Sequence, residues 1–431
     1  MSGIAPITAL AARRVRVTGL VQGVGFRPFV HRLALRHRLG GWIRNGSGDV
    51  QIAVEGAPGA IECFLVELRS EAPPLARIEA IAVEAATPEG NRRFVILAST
   101  AEPGRRQPVS PDVSICPACL AELFDPANRR YRYPFITCTD CGPRFTVIES
   151  MPYDRERTSM RAFRQCPACQ AEYDEPGDRR HHSETNSCTV CGPALWFGAS
   201  AQPETGGSED ALGRAAGLLA RGGILALRGL GGFHLAADAT NPGAVARLRA
   251  RKHRDAKPFA VMVRTLDDAR LLADVNAAEA ELLVSPERPI VLLALREGHG
   301  LAGEVAPALT HAGLLLAYTP LHHLLLDLAG RPLVMTSGNQ SEEPIATGVE
   351  EALRRLGGIA DGFLLHNREI VARYDDSVAR VVNRRPVLLR RARGYAPLPL
   401  SLPVAAPRPL VAVGPHLKNT FTLAVEGTAY V

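Results

Sequence analysis

The sequence predicts a multi-domain α/β (α+β) protein of roughly three units, and three observations carry that expectation. A chain of 431 residues exceeds one ordinary core, since domains run to about 100–200 residues. Strand-like and helix-like periods follow one another over residues 12–98, in the order β-α-β-β-α-β, and resume over residues 207–398. Between them lie eight of the nine cysteines, in four Cys-x-x-Cys pairs amid charged and proline-rich spacers.

Composition narrows the class further. A hydrophobic share of 46% is globular rather than disordered, and 39 glycines with 33 prolines favour β-containing units over a helical bundle. The opening MSGIAPITALAARR has no basic stretch leading into a long apolar core, so it does not read as a signal peptide. No later stretch offers about 18 uninterrupted apolar residues; the richest, Leu314 to Leu326, is broken by Pro320, His322 and His323. A cytoplasmic protein without a membrane partner is expected, and paired cysteines in a reducing compartment point to metal. The net charge of +6 is spread along the chain as arginine, which favours a soluble surface with anion pockets over a nucleic-acid groove.

In the first unit, Val15, Val17 and Leu20 alternate with polar neighbours in RRVRVTGL, a half-buried strand. The glycine-punctuated VQGVGF follows, and then a helix. Pro28 suits its first turn, Phe29, Val30, Leu33 and Leu35 form its apolar face, and Gly40 with Gly41 stops it. Strands are expected at GWIRN and DVQIAVEG, a helix near Ala60 to Ser70, and a last strand at RRFVILAS. Cys63, on the second helix, reads as an ordinary small apolar residue. A glycine-rich turn from strand to helix aims several backbone N–H groups into one concavity at the positive end of the helix, where a phosphate is stabilised. Arg27 adds a charge at its mouth. Over nearly the whole segment, VQGVGFRPFV and GWIRNGSGDV resemble the acylphosphatase family. The resemblance implies a ferredoxin-like fold that hydrolyses acyl phosphates. Arg27 and the backbone of Gln22, Gly23, Val24, Gly25 and Phe26 would hold the phosphate, and Asn45 would orient the attacking water. An acyl phosphate already has a good leaving group, so positioning and charge neutralisation suffice.

Residues 105–198 carry the pairs Cys116 and Cys119, Cys138 and Cys141, Cys166 and Cys169, and Cys188 and Cys191, with 18, 24 and 18 residues between successive pairs. A shift of 50 positions lays CPACLAELFDPANRR on CPACQAEYDEPGDRR and CTDCGP on CTVCGP, an internal repeat that implies two equivalent sites. Two such knuckles complete a tetrahedron around Zn2+, so two structural four-cysteine zinc ions are expected. Spacing alone leaves open whether each ion draws on one repeat or both. His181 and His182 lie in a spacer and read as surface residues.

The segment 207–398 opens with a helix near Ala211 to Arg221, the strands ILALRGL and FHLAADA, and a helix started by Asn241 and Pro242. That helix runs into Arg247, Arg249, Arg251, Lys252, Arg254 and Lys257, a pattern that on charge alone reads as a solvated face. Further on, the strand PLVM feeds TSGNQSEEP, a loop able to present hydroxyl, amide and backbone donors. LRARKHRDAKPFAVMV and VMTSGNQSEEPIATG resemble the YrdC-like family, whose KxR and SxN motifs match Lys252-His253-Arg254 and Ser337-Gly338-Asn339. That family forms carbamoyl-adenylate species from ATP. The resemblance implies that Lys252, Arg254 and Lys257 neutralise phosphates or carbamate and that Thr336, Ser337 and Asn339 contact the nucleotide. LAYTPLHHLLLD and HNREIVARYDDS depart from the stand-alone family.

The succession of the three units, with YTPLHHLLL, TSGN, YDDSV and RRARGYAP, resembles the carbamoyltransferase family of nickel–iron hydrogenase maturation over almost the entire chain. The resemblance implies hydrolysis of carbamoyl phosphate to carbamate, adenylation of the carbamate with ATP and Mg2+, and transfer to the terminal cysteine of the maturation protein HypE. Residues 409–431 read as strand, glycine turn with Lys418 and Asn419, and strand, the truncated start of the domain that performs the transfer. Two rivals remain: a zinc-stabilised RNA-binding protein, against which an aromatic content of 5% argues, and a tRNA threonylcarbamoyl-adenylate synthase, against which the first unit argues.

Overall fold

The first unit is built around β1 (Ala11–Leu20), whose Val15 and Val17 point inward while polar neighbours face out. The computed structural model describes residues 10–46, 48–100, 108–200, 207–341, 343–414 and 420–431; Lys418 and Asn419 lie outside the described residues. After β1 come α1 (Phe26–Arg36), β2 (Gly40–Asn45), β3 (Val50–Gly56), α2 (Pro58–Ser70), β4 (Arg77–Ala86) and β5 (Phe94–Ile96). The sheet order is β4-β1-β3-β2-β5, antiparallel except for the parallel β2–β5 pair, and both helices cover one face.

Two expectations are corrected here. The closing strand of the β-α-β-β-α-β order is β4, not RRFVILAS, of which only Phe94–Ile96 is strand, on the opposite edge. β4 is a largely exposed edge strand whose alanines and glutamates leave its period weak. Cys63 is exposed, because the buried stripe of α2 runs through Ile61, Phe64 and Leu68 and leaves position 63 on the other side.

The cysteine segment contributes two short helices, α3 (Pro117–Phe124) and α4 (Pro167–Asp174), each with proline in its first turn directly after the first cysteine of a knuckle. It then gives β6 (Leu195–Phe197), which joins the large sheet. The charged and proline-rich spacers also contribute core: Tyr133, Phe135 and Ile136 pack beneath that sheet with Leu212, Leu321 and Leu324.

The rest of the chain runs α5 (Gly207–Ala220), β7 (Leu225–Arg228), β8 (Phe233–Asp238), α6 (Pro242–Lys252), β9 (Ala260–Val263), α7 (Leu266–Leu272), β10 (Ala273–Asp274) and α8 (Ala277–Val284). It continues with β11 (Ile290–Leu295), β12 (His311–Leu316), α9 (Pro320–Ala329), β13 (Leu333–Ser337), α10 (Val349–Leu356), β14 (Gly362–His366), β15 (Val378–Val382) and β16 (Arg385–Arg390). These strands form one mixed sheet in the order β16-β15-β11-β12-β9-β13-β8-β7-β14-β6, with β10 on β11. Its central strands are buried on both faces, as their unbroken apolar runs require. A hairpin of β17 (Leu400–Val413) and β18 (Phe421–Tyr430) ends the described structure. Just before it, Leu398 packs into the core of the first unit and so ties the ends of the described chain together.

Phe64 is fully buried at the centre of the first unit. Phe64→Ala is expected to remove about 3–5 kcal/mol from the unfolding free energy of that unit, measured by urea titration of Trp42 fluorescence.

Candidate active sites and metal centres

The anion loop forms as its residue types demand. Gly25 is the N-cap of α1 and adopts φ 73°, a left-handed conformation that a side chain disfavours. Its neighbours Gln22, Gly23, Phe26 and Arg27 line a small cavity together with Asn45, while the Val24 side chain turns into the core. Gln22 pins the loop by donating to the carbonyls of Gly46 (2.9 Å) and Asp49 (3.1 Å). Both polar atoms of the Asn45 side chain are buried without a hydrogen-bond partner, a costly arrangement unless a ligand or water completes it.

The opposite wall comes from the cysteine segment. Arg27 donates to Glu184 (2.8 Å) and Asp154 (3.3 Å), and Arg144 donates from Nε to the Gly23 carbonyl (2.6 Å). Burial would lower the Arg27 pKa, but Glu184 and Asp154 more than offset it and hold the group as a cation. His181 and His182 are not surface residues, as the spacer had suggested. His181 is buried, His182 lines the cavity, and a ring series runs His31–His181 (5.4 Å), His181–His182 (4.8 Å) and His182–Tyr173 (4.8 Å). Nothing in the local pattern of HHSE marks those residues as buried; contact across units decides it.

Each cysteine cluster draws on one repeat: Cys116, Cys119, Cys138 and Cys141 form one, and Cys166, Cys169, Cys188 and Cys191 the other. A tetrahedron with metal–sulfur bonds of about 2.3 Å places sulfurs roughly 3.8 Å apart. Measured separations are 3.7 and 3.9 Å in the first cluster and 3.5 to 3.8 Å in the second. The donor set and its spacing therefore fit the closed thiolate sites that zinc prefers. The repeats also brace each other reciprocally. Arg129 and Arg130 donate to Cys169 Sγ (3.2 and 3.4 Å) and pair with Glu172; at the equivalent positions, Arg179 donates to Cys119 Sγ (3.6 Å) and pairs with Glu122, as does Arg180.

In the third unit, Lys252, Arg254 and Lys257 come together with Thr336, Ser337 and Asn339 around one cavity of about 920 Å³. Lys252 is buried, and its Nζ donates to the Ser337 carbonyl (2.7 Å) and Asn339 Oδ1 (2.8 Å), so it holds the loop in place directly. The remaining basic residues of α6 are mostly tied down rather than solvated: Arg247 to the Gly222 carbonyl, Arg249 to the Glu304 carbonyl (2.6 Å) and Arg251 to Asp361 (2.6 Å). Ile290, Leu292 and Met335 supply an apolar side to the cavity, and Arg254 stacks over Phe259 at 5.0 Å.

Several groups at this cavity escaped the sequence reading: His234 and Asp376 line it, and Arg393 and Tyr318 lie next to them. His234 contacts Asp376 Oδ2 (3.2 Å), Arg393 donates to Asp376 Oδ1 (2.6 Å), and Arg393 lies 3.5 Å from the Tyr318 ring centre. Burial would raise the Asp376 carboxyl, yet Arg393 and His234 overcome that and hold it well below the usual range. Paired acids in YDDS were the available signal. A further internal cavity is lined by Thr137, Pro143, Gly229, Tyr318, Arg228 and Arg368. Thr137 and Pro143 flank the loop whose Thr139 and Arg144 wall the first pocket, and Gly229 leads into β8, which places His234 in the third. Arg228 and Arg368 are buried cations, each lowered to about 10 by that burial, with Asp112 offsetting part of it for Arg368.

Family models match an acylphosphatase over residues 13–96, a HypF finger over 115–148 and 166–197, and the Sua5/YciO/YrdC family, described as telomere recombination, over 217–392. The carbamoyltransferase HypF of Synechocystis is 50% identical over 97% of this chain, which spans 54% of that protein. An acylphosphatase of Thermotoga maritima is 41% identical over 88 residues, 97% of its length. Among solved structures, full-length HypF in a phosphate- and nucleotide-bound form superposes with a TM-score of 0.94 at 44% identity, covering 99% of this chain and 56% of that one. The chain thus spans about half the length of the curated HypF relatives it matches. No helix among the described residues is long and apolar enough to cross a membrane.

Burial pushes His181 down to about 4 and His182 to about 3, from an ordinary value of 6.5. The unfolded chain therefore takes up these protons first as pH falls, and the stability that neutral burial permits is complete above about 6.5 and drains away toward pH 4. His181→Phe keeps the ring and removes the titration. Its melting temperature is expected to fall less than that of the parent chain between about pH 7 and pH 5, measured calorimetrically.

Proposed function

Because the chain belongs to the HypF family, we propose that it hydrolyses carbamoyl phosphate in its first pocket and adenylates the resulting carbamate with ATP in its third unit. The observation that carries the reading is the pairing of two separate anion pockets in one polypeptide, with a small cation-lined cavity between them.

In the first pocket, the amides at the start of α1 and the Arg27 guanidinium hold the phosphate and spread its charge, and the unsatisfied Asn45 amide orients the attacking water. Water attacks the phosphorus, the P–O bond to the acyl oxygen breaks, and carbamate and inorganic phosphate leave. In the third pocket, carbamate oxygen attacks the α-phosphorus of ATP and pyrophosphate departs. The apolar side of the cavity suits a base, while Arg254 and Lys257 suit the phosphates that Mg2+ accompanies. Thr336, Ser337 and Asn339 contact the nucleotide, and Lys252 supports them from behind. Carbamate is labile in water, and the small cavity lined by Arg228 and Arg368 supports a protected route between the pockets. Transfer of the carbamoyl group to the terminal cysteine of HypE, for cyanide ligand synthesis, completes the proposed scheme. Zinc is the metal proposed for the two clusters, and its contribution is to hold the wall of the first pocket in place. Units at 12–98, 105–198 and 207–398, with 409–431 as the opening of a further unit, describe this division of labour, in a cytoplasmic setting.

Arg27→Ala is expected to lower acyl-phosphate hydrolysis by at least about 100-fold, and the same variant to abolish carbamoyl-phosphate-dependent exchange of pyrophosphate into ATP. Near-normal turnover by the variant would reject the assignment. Elemental analysis is expected to return two zinc ions per chain, and Cys119→Ser to lose one of them.

A further inference from the structure

The first pocket is closed by a unit other than the one that carries its anion loop. We infer that this wall, centred on His182, selects the acyl group and admits only acyl phosphates with an acyl portion about the size of carbamoyl or acetyl. The inference deepens the acyl-phosphate reading and rests on it.

The anion loop and Arg27 dictate where the phosphate lies, so the acyl portion must sit between Asn45 and the facing wall of Tyr153, His182 and Glu184. The whole pocket, anion loop included, leaves about 20 Å³ of free space, so an acyl group of more than a few atoms must displace the wall. None of the three wall residues moves aside cheaply. Glu184 accepts from Arg27 (2.8 Å), the Arg155 amide (3.0 Å) and the Tyr173 hydroxyl (3.1 Å). Tyr153 is buried, and its carbonyl accepts from Arg27 at 3.3 Å. The His182 ring is gripped between Tyr173 and His181, and His181 stacks on His31 of α1, the helix that carries Arg27. The wall is thereby fastened to the floor it faces.

Phosphate can make its own room, because its charge competes for the guanidinium that Glu184 now engages, at the cost of one ion pair. An aryl group brings no charge with which to open a stack of rings. Stand-alone acylphosphatases, matched over 97% of their length by 88 residues of this chain, have no segment equivalent to the wall. The acyl preference of this pocket is therefore a property added by the cysteine segment.

The test compares kcat/KM for acetyl phosphate and benzoyl phosphate on the intact chain, His182→Ala and Tyr153→Leu, with two metal ions per chain as the check on folding. The parent chain is expected to favour acetyl phosphate by at least about tenfold, and the benzoyl-to-acetyl ratio to rise by about tenfold or more in either variant. Comparable use of both substrates by the parent chain overturns the inference while leaving the acyl-phosphate reading intact. An unchanged ratio in both metal-loaded variants overturns it as well. Hydrolysis of neither substrate by the parent chain removes the reading and the inference together.

Discussion

Arg144 and Asp112 form the joint on which both pockets depend. Arg144 donates from one guanidinium to the Gly23 carbonyl of the anion loop (2.6 Å), to the Cys141 carbonyl of a metal knuckle (3.0 Å) and to the Thr139 carbonyl (2.8 Å). Its own amide and the Thr146 hydroxyl donate to Asp112, which also accepts from Tyr374 on the rim of the larger cavity. Both side chains are buried. Loss of either side chain would leave several buried hydrogen-bonding groups without a partner, a penalty of about 1–3 kcal/mol for each. Ser110 adds a second tie to the anion loop through the Gln22 carbonyl. The geometry of the first pocket is thus inherited from the cysteine segment as much as from its own sheet.

That segment can bear the load because its two repeats stabilise each other. Each thiolate cluster is approached by arginines from the other repeat, and each arginine pair is anchored by a glutamate beside the partner knuckle. Thiolate clusters carry negative charge, so an arginine beside them contributes electrostatically as well as by packing. Arg130 and Arg180 also donate to the Ser187 and Thr137 carbonyls (2.9 and 3.1 Å), which places the same bond at the same position in both halves. A region with little apolar material of its own is held together by charge pairing between its repeats and by the aromatic residues it inserts beneath the large sheet.

The basic excess of the chain is turned inward more than a charge profile suggests. Lys252, Arg228, Arg249, Arg368 and Arg393 are all buried, and most of their donors meet backbone carbonyls or a single carboxylate. Desolvation makes such an arrangement costly, and its return is a series of positive interior surfaces. Small anions are the ligands that complement them. The same placement accounts for the weakness of a nucleic-acid reading, since these cations do not line an open groove.

Much of the design was legible before folding was considered. Glycine spacing at Gly23 and Gly25, the knuckle spacing of eight cysteines, the repeat offset, and the Lys252 and Ser337 motifs are local patterns whose physics acts within a turn or two. Strand β4 was missed because an exposed edge strand of alanine and glutamate carries a weak period, and His181 and His182 were misplaced because spacer composition says nothing of what packs upon it. Sequence by itself marked the glycine turn before α1, the eight cysteines of the two clusters and the Lys252 and Ser337 motifs. Only tertiary structure decided that Glu184 and His182 face Arg27, that each metal cluster stays within one repeat, and that His234, Asp376 and Arg393 converge. Glu184 lies 157 residues from Arg27 and Asp376 lies 142 from His234, and burial at that range is set by the packing of whole elements, which no local period encodes.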